Sequence, residues 1–177
     1  MITPFDTEET IKGHLAEDLT DPLFFFHGLE STPFGSKFVE LQKHFPQVQA
    51  PDFQGMDIEA RLTKAEEVTR GLTNISVVGS SMGGLLAALL FERYPERFKG
   101  YLLIVPALHL VRAKEIKQVP SIAIILHGTL DDVVPLSSSL DFGRKFGVPV
   151  VQTEDGHRMH NSFEEMVSLT QQFLVSP

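Results

Sequence analysis

The chain has 177 residues, of which 42% are hydrophobic and 21% are charged. Its formal net charge of −8, with Lys and Arg scattered singly, disfavours nucleic acid as a partner. The absence of cysteine excludes disulfides, thiolate metal sites and a cysteine nucleophile. Because no secretory signal and no apolar run of roughly 18 residues is visible, we expect a cytoplasmic protein without membrane contact. We also expect one domain over residues 1–177, with residues 1–20 as an irregular N-terminal extension.

Six short apolar runs with the length of β-strands follow one another along the chain. They are Leu23–Phe26, Val48–Ala50, Ile75–Val78, Tyr101–Val105, Ile122–Leu126 and Val148–Gln152. Segments with helical spacing lie between or after them, at residues 36–45, 57–71, 85–91, 135–147 and from 162 onward. This alternation predicts a doubly wound α/β fold with a mostly parallel sheet of about six strands.

Two of the predicted helices have recognisable starts and buried faces. Asp57 is the expected N-cap of the second helix, and Ser162 with Glu165 has capping-box spacing at the start of the last. The predicted buried positions are Ile58, Leu62, Ala65 and Val68 in the second helix, and Phe163, Met166, Thr170 and Phe173 in the last.

The residues Gly79-Ser80-Ser81-Met82-Gly83 match the pattern G-x-S-x-G, with Ser81 at its centre. A strand comes before the pattern and an apolar helix follows it, a context that makes the turn sharp and exposes the serine hydroxyl. Glycine suits the two flanking positions, because side chains there would collide with the strand and the helix. A phosphate-binding turn is the alternative, but neither the dinucleotide-binding nor the P-loop glycine pattern is present.

Two further candidates lie in loops after later strands, where parallel strands bring their carboxyl ends to the same edge of the sheet as Ser81. Asp131 lies in the segment H-G-T-L-D-D-V-V-P at residues 127–135, with Asp132 as the alternative acid. His157 follows Gly156 after the last strand, with His160 as the alternative base.

Other roles for these polar residues are weaker. His157 and His160 with Asp155 would allow a metal site, but this ligand set is thin. His27 and His127 each begin a His-Gly turn, and we expect both to be structural.

The chain resembles the α/β-hydrolase superfamily from about Leu23 to the C-terminus. The resemblance rests on the order of three segments: the serine pattern, residues 127–135 and Gly156-His157. The first loop reads H-G-L-E-S-T-P at residues 27–33 and is followed by Ser36-Lys37. It is similar to compact bacterial serine esterases whose first loop has the form H-G-x-x-S-(S/T)-P. Only about a dozen residues follow Pro106 before the next strand, too few for the helical cap domain of many relatives.

The resemblance implies a catalytic triad in which Ser81 is the nucleophile, His157 the base and Asp131 its acidic partner. It also implies that the backbone N–H groups of Leu29 and Met82 bind the oxyanion. The expected activity is hydrolysis of carboxylic esters or thioesters of small or acyl substrates, with no cofactor and no metal. Amide or C–C bond cleavage and a non-catalytic binding protein of the same fold are the alternatives. An open apolar surface at the carboxyl edge of the sheet would also permit a homodimer.

Overall fold

The computed structural model describes residues 21–175, and its centre is a sheet of five parallel strands. The strands are β1 (Leu23–Phe26), β2 (Ile75–Ser80), β3 (Phe98–Ile104), β4 (Ile122–Gly128) and β5 (Val150–Thr153). Each strand pairs with the next one in the sequence. Because all four pairings are parallel, the carboxyl ends of the strands lie at one edge of the sheet.

Within the described residues, five α-helices cover the two faces of this sheet. They are α1 (Ser36–His44), α2 (Ile58–Val68), α3 (Met82–Arg93), α4 (Leu136–Phe146) and α5 (Phe163–Leu169), which continues as a π-helix at Thr170–Val175. Helices α2, α3 and α4 pack on one face, whereas α1, α5 and the π-helix pack on the other. The inner strand β2 is buried along its whole length, which explains why it carries only small or apolar side chains. The predicted doubly wound α/β fold is confirmed.

One of the six predicted strands, Val48–Ala50, does not form. Gln49 makes only an isolated parallel bridge with Phe24, beside β1. The Gln49 N–H donates to the Leu23 carbonyl at 2.9 Å, and its own carbonyl accepts from the Phe25 N–H at 2.8 Å. The next donor in such a ladder would be residue 51, which is a proline and has no N–H group. The pairing therefore stops after two hydrogen bonds.

The predicted helix details are partly correct. Asp57 caps α2, since its Oδ1 accepts the Ala60 N–H at 2.9 Å. Val68 and Phe173 were expected to be buried but are 38% and 37% exposed. Val68 is the last residue of α2, and Phe173 lies in the π-helix, whose wider turn buries Leu174 instead.

The segment that joins β3 to β4 contains one short 3₁₀ helix, Val111–Glu115, and no cap domain, as its length predicts. The loops at the carboxyl edge are therefore not covered by an inserted domain. Over residues 21–175, no helix has both the length and the apolar character that crossing a membrane requires.

Candidate active site

Ser81 lies at the sharp turn between β2 and α3, with φ of 54° and ψ of −115°. Positive φ is unfavourable for a residue that has a Cβ atom, so this turn is strained. The Ser81 N–H donates to the Ile104 carbonyl at 2.9 Å, and the Ser81 carbonyl accepts from the Ala107 N–H at 3.0 Å. The end of β3 and the loop after it therefore hold the serine in this conformation.

Glycines let β2, α3 and the loop after β1 approach one another at Ser81. A Cβ atom on Gly79 would lie 2.5 Å from the Gly83 carbonyl oxygen, and one on Gly83 would lie 1.9 Å from that of Phe26. These distances agree with the predicted steric role of the two glycines. Gly28 lies against the serine itself, since its Cβ position would be 3.4 Å from Ser81 Cβ and 4.0 Å from Ser81 Oγ.

Backbone strain is concentrated at the carboxyl edge of the sheet. Of the four non-glycine residues with positive φ in the described chain, Ser81, Val105 and Met159 lie in the turns after β2, β3 and β5. Val105 has φ of 42°, which a β-branched residue rarely adopts. It is completely buried, and its N–H donates to the Leu126 carbonyl at 2.8 Å. No sequence pattern signalled this strain, because Val105 reads as the last residue of a strand.

His157 pairs with Asp131, which lies 26 positions earlier in the sequence. The His157 Nδ1–H donates to Asp131 Oδ2 at 2.8 Å, since an ionised carboxylate can only accept. The other carboxylate oxygen, Oδ1, accepts the N–H groups of Val133 and Val134, both at 2.8 Å. The Asp131 side chain is fully buried, and it holds the neutral imidazole in the tautomer whose Nε2 can accept a proton.

His127 lies behind the same carboxylate, with its Nε2 3.5 Å from Asp131 Oδ2. Its Nε2–H donates to the Val134 carbonyl at 3.2 Å, and its Nδ1 accepts from the Ser139 hydroxyl at 2.8 Å. Burial lowers the pKa of His127, against the opposing effects of the Val134 carbonyl and Asp131. His127 is therefore a neutral structural residue at pH 7, as predicted.

Asp155 fastens the loop that carries His157. Its Oδ1 accepts the Gly156 N–H at 2.8 Å, and its Oδ2 accepts the Asn161 N–H at 2.8 Å and the Ser162 hydroxyl at 2.9 Å. The predicted capping box at Ser162 is therefore wrong, because this hydroxyl bonds to Asp155 instead of the backbone of α5. Through these bonds Asp155 joins the two ends of the His157 loop.

Lys37, in the first turn of α1, lies close to the same loop. Burial lowers the pKa of its ammonium group to about 8. The charge of Arg158 adds to this decrease, whereas the charges of Asp155 and Asp131 oppose it. The start of α1 therefore lies near the charged residues of the loop after β5.

Two backbone N–H groups near Ser81, those of Leu29 and Met82, have no hydrogen-bond acceptor within residues 21–175. Met82 is the first residue of α3, so its N–H has no partner within the helix. Leu29 directly follows Gly28, which contacts the serine. Both N–H groups are available to donate to an oxygen atom of a bound molecule.

Asp132 and His160, the alternative acid and base, do not take part in the hydrogen bonds that join Asp131 and His157. Asp132 is exposed and makes no hydrogen bond or ion pair in the described part of the chain. His160 is exposed, and its ring packs edge-on against Phe163 with 6.0 Å between centroids. Among the described residues, no group of three or more His, Asp or Glu side chains is placed to hold a metal ion.

The predicted site residues are thus brought together in part. Asp131 and His157 form a hydrogen-bonded pair, and Ser81 lies at the same edge of the sheet. The Ser81 and His157 side chains both belong to the described part of the chain, and no hydrogen bond joins the Ser81 hydroxyl to the His157 imidazole.

Arg61 is a residue of this region that the sequence analysis missed. It lies on the buried side of α2, beside Leu62, and its guanidinium group donates to the carbonyls of His27 and Gly28. Its place within the apolar stripe of α2 was the available signal, since an arginine is rarely buried there without specific partners.

The model of the α/β hydrolase fold family matches residues 44–173 of the chain. Among curated proteins, none matches significantly. Three solved structures illustrate the likeness of the fold. Est1E from Butyrivibrio proteoclasticus is 16% identical, with a TM-score of 0.72 over 86% of each chain. The ydeN gene product from B. subtilis is 14% identical, with a TM-score of 0.68 over 86% of this chain and 100% of that one. Alpha/beta hydrolase domain-containing protein 10 from mouse is 16% identical, with a TM-score of 0.71 over 86% of this chain and 88% of that one.

The chain therefore belongs to the α/β hydrolase fold family. This membership confirms the resemblance to the α/β-hydrolase superfamily and supports a hydrolase.

We predict that the free energy of unfolding decreases as the pH falls below about 6.5, the ordinary pKa of histidine. Burial lowers the pKa of His27 and of His127 in the folded protein, so below that pH the unfolded chain binds protons that the folded chain does not. Each of the two contributes a slope of up to about 1.4 kcal/mol per pH unit. Urea unfolding from about pH 7.5 to about pH 5.5 measures the slope.

The control for this prediction is Thr73→Ser, a change at an exposed residue that does not titrate, which should leave the slope unchanged. His127→Gln should reduce it. A stability that is constant over the whole range would contradict the neutral, buried state of both histidines.

Proposed function

We propose that this protein is a serine hydrolase that cleaves carboxylic esters or thioesters through an acyl-enzyme. The observation that carries the proposal is the 2.8 Å hydrogen bond from His157 to the buried Asp131 carboxylate, at the same sheet edge as the strained Ser81. Such a pair supports an imidazole that is oriented to take a proton from a serine hydroxyl. Membership of the α/β hydrolase fold family agrees with this activity.

In the proposed mechanism, Ser81 Oγ attacks the carbonyl carbon of the substrate while His157 Nε2 takes the hydroxyl proton. His157 then passes this proton to the leaving group, and a water molecule releases the acyl group by the same steps. Asp131 keeps the imidazole oriented, and its buried negative charge stabilises the imidazolium cation that forms.

Negative charge that develops on the carbonyl oxygen also needs donors. The N–H groups of Leu29 and Met82, which have no acceptor among the described residues, support an oxyanion hole at this position. Because Met82 begins α3, the positive end of the helix dipole adds to the stabilisation of the charge.

Exposed apolar side chains on two loops of the carboxyl edge narrow the substrate class. Leu29 and Phe34, after β1, are 54% and 78% exposed, and Leu130 and Val133, after β4, are 63% and 59% exposed. We call these four residues the apolar rim. Large apolar side chains grouped around a candidate site are typical of a surface that binds an apolar ligand. We therefore propose that the substrate carries an apolar acyl or alcohol group that packs on the rim.

The first prediction of this proposal concerns Ser81. Ser81→Ala should fold normally and lose ester hydrolysis by at least about 10³-fold, because the nucleophile is gone. It should also lose covalent labelling by a fluorophosphonate, which needs an activated serine. Hydrolysis of p-nitrophenyl butyrate and the mass of the intact labelled protein measure these two losses. The matched control is Ser80→Ala at the neighbouring position, which should retain both properties.

Persistent hydrolysis or labelling in Ser81→Ala would show that another residue is the nucleophile. Wild-type protein that binds an ester but neither cleaves it nor reacts with the fluorophosphonate would favour a non-catalytic binding protein. Comparison of esters with acyl-CoA thioesters and anilides of the same acyl group distinguishes the type of bond cleaved.

The second prediction concerns the apolar rim. From p-nitrophenyl acetate to the octanoate, kcat/KM should rise by up to about fourfold per added CH₂ group, the factor expected when each CH₂ is buried. Phe34→Ser and Leu130→Ser should flatten this rise. Ethyl ferulate adds an aromatic acyl group to the panel, since the structure of Est1E has been determined with ferulic acid bound.

The control is Val68→Ser, which removes an exposed apolar side chain at the far end of α2. It should leave the dependence on chain length unchanged. Wild-type hydrolysis that is independent of chain length, or equal slopes in all variants, would contradict the role of the rim without affecting the proposed nucleophile.

A further inference from the structure

Arg61 places a charged group inside the protein, where backbone carbonyls accept its hydrogen bonds. The residue is 0% exposed, and its guanidinium group donates to three backbone carbonyls. Nη1 donates to His27 at 2.8 Å, Nη2 to Gly28 at 3.2 Å and Nε to Met56 at 3.1 Å. Within residues 21–175 it forms no ion pair. Because a buried cation is costly unless its donors are used, its bonds to the loop after β1 indicate a specific role for Arg61.

The Gly28 carbonyl is anchored by three donors. Besides Arg61 Nη2, it accepts from His27 Nδ1–H at 2.8 Å and from the Ser31 N–H at 3.4 Å. The tautomer of His27 is fixed, because the Phe53 N–H donates to its Nε2 at 2.8 Å and leaves the proton on Nδ1. Arg61 and His27 therefore hold the Gly28 carbonyl in one direction.

This carbonyl determines where the next N–H group points. The described chain contains no cis peptide bond, and in a trans peptide the C=O and N–H bonds point in opposite directions. With the Gly28 carbonyl held towards Arg61, the Leu29 N–H must point away from it. That N–H has no acceptor within residues 21–175, and the adjoining Gly28 lies against Ser81.

We infer that Arg61 is a positioning residue, which acts through the Gly28 carbonyl to aim the Leu29 N–H at the oxyanion. This inference rests on the proposed function. Without the guanidinium group, the Gly28 carbonyl keeps only the His27 Nδ1–H bond and the longer Ser31 N–H bond. We expect the Gly28–Leu29 peptide to be less constrained and its N–H group to lose its fixed direction. Loss of one oxyanion donor typically lowers turnover by about 10²–10³-fold, so removal of Arg61 should approach that loss.

The test compares Arg61→Met with Leu62→Ala, a change at a buried neighbour in the same helix. Arg61→Met should lower kcat for an ester by about 10²-fold and leave KM nearly unchanged, since the oxyanion forms only after attack. Leu62→Ala weakens the core but should keep kcat. If Arg61→Met does not fold, Arg61→Lys replaces it. Its single ammonium group cannot reach all three carbonyls, so it should lose about 10-fold in kcat.

A trifluoromethyl ketone provides a readout that lost stability alone does not change. Ser81 Oγ adds to its carbonyl carbon, the hydroxyl proton moves to His157, and the carbonyl oxygen becomes the oxyanion of a hemiketal. The affinity for this ketone, measured by ¹⁹F NMR, should fall with kcat in the Arg61 variants and stay unchanged in Leu62→Ala. Arg61 variants that keep kcat and ketone affinity, or that change only as Leu62→Ala does, would overturn the inference. Wild-type protein that forms no hemiketal and cleaves no ester would instead refute the proposed function.

Discussion

The hydrogen bond between His157 and the buried carboxylate of Asp131 is the interaction on which the rest of the site depends. A carboxylate removed from water is unstable unless its charge is compensated. Asp131 meets this requirement with the N–H groups of Val133 and Val134 on one oxygen and the imidazole on the other. The same bonds select one tautomer of His157, so the need to stabilise a buried charge also orients the proposed base.

The second feature of the site is strained backbone held in place by its surroundings. Ser81 and Val105 both have positive φ, and each is fixed by hydrogen bonds to a neighbouring strand or loop. The close crossing of β2 and α3 at Gly79 and Gly83 keeps Ser81 at the tip of the turn. Such strain persists only where the surrounding fold compensates for it. The free energy gained by packing the buried sheet therefore offsets the backbone strain at its carboxyl edge.

Much of this arrangement could be predicted from the sequence, because it depends on local patterns. Five apolar runs become strands, since helices cover both faces of the sheet and most positions of its inner strands are buried. Their positions after parallel strands mark Asp131 and His157 as candidates, because such residues gather at one edge of the sheet. The choice of Asp131 over Asp132 rests on the resemblance to the family. The hydrogen bond between Asp131 and His157 could only be expected through resemblance to a family.

Of the features that were missed, one has a local cause and the others depend on contacts between separate segments. Val48–Ala50 has the composition of a strand, but Pro51 ends its pairing with β1. Ser162 has the spacing of a helix cap, yet the buried Asp155 carboxylate competes for its hydroxyl. Arg61 stands within the apolar stripe of α2, which indicates burial, but only the fold shows that its partners are the carbonyls of the loop after β1.

The most direct test of the account is a crystal structure of the protein after reaction with an alkyl fluorophosphonate. The account predicts phosphorus bonded to Ser81 Oγ, with the phosphoryl oxygen within hydrogen-bond distance of the Leu29 and Met82 N–H groups. The Nε2 atom of His157 should face the adduct while its Nδ1–H still donates to Asp131. An adduct on another residue, or a His157 imidazole that points away from the modified serine, would contradict the account.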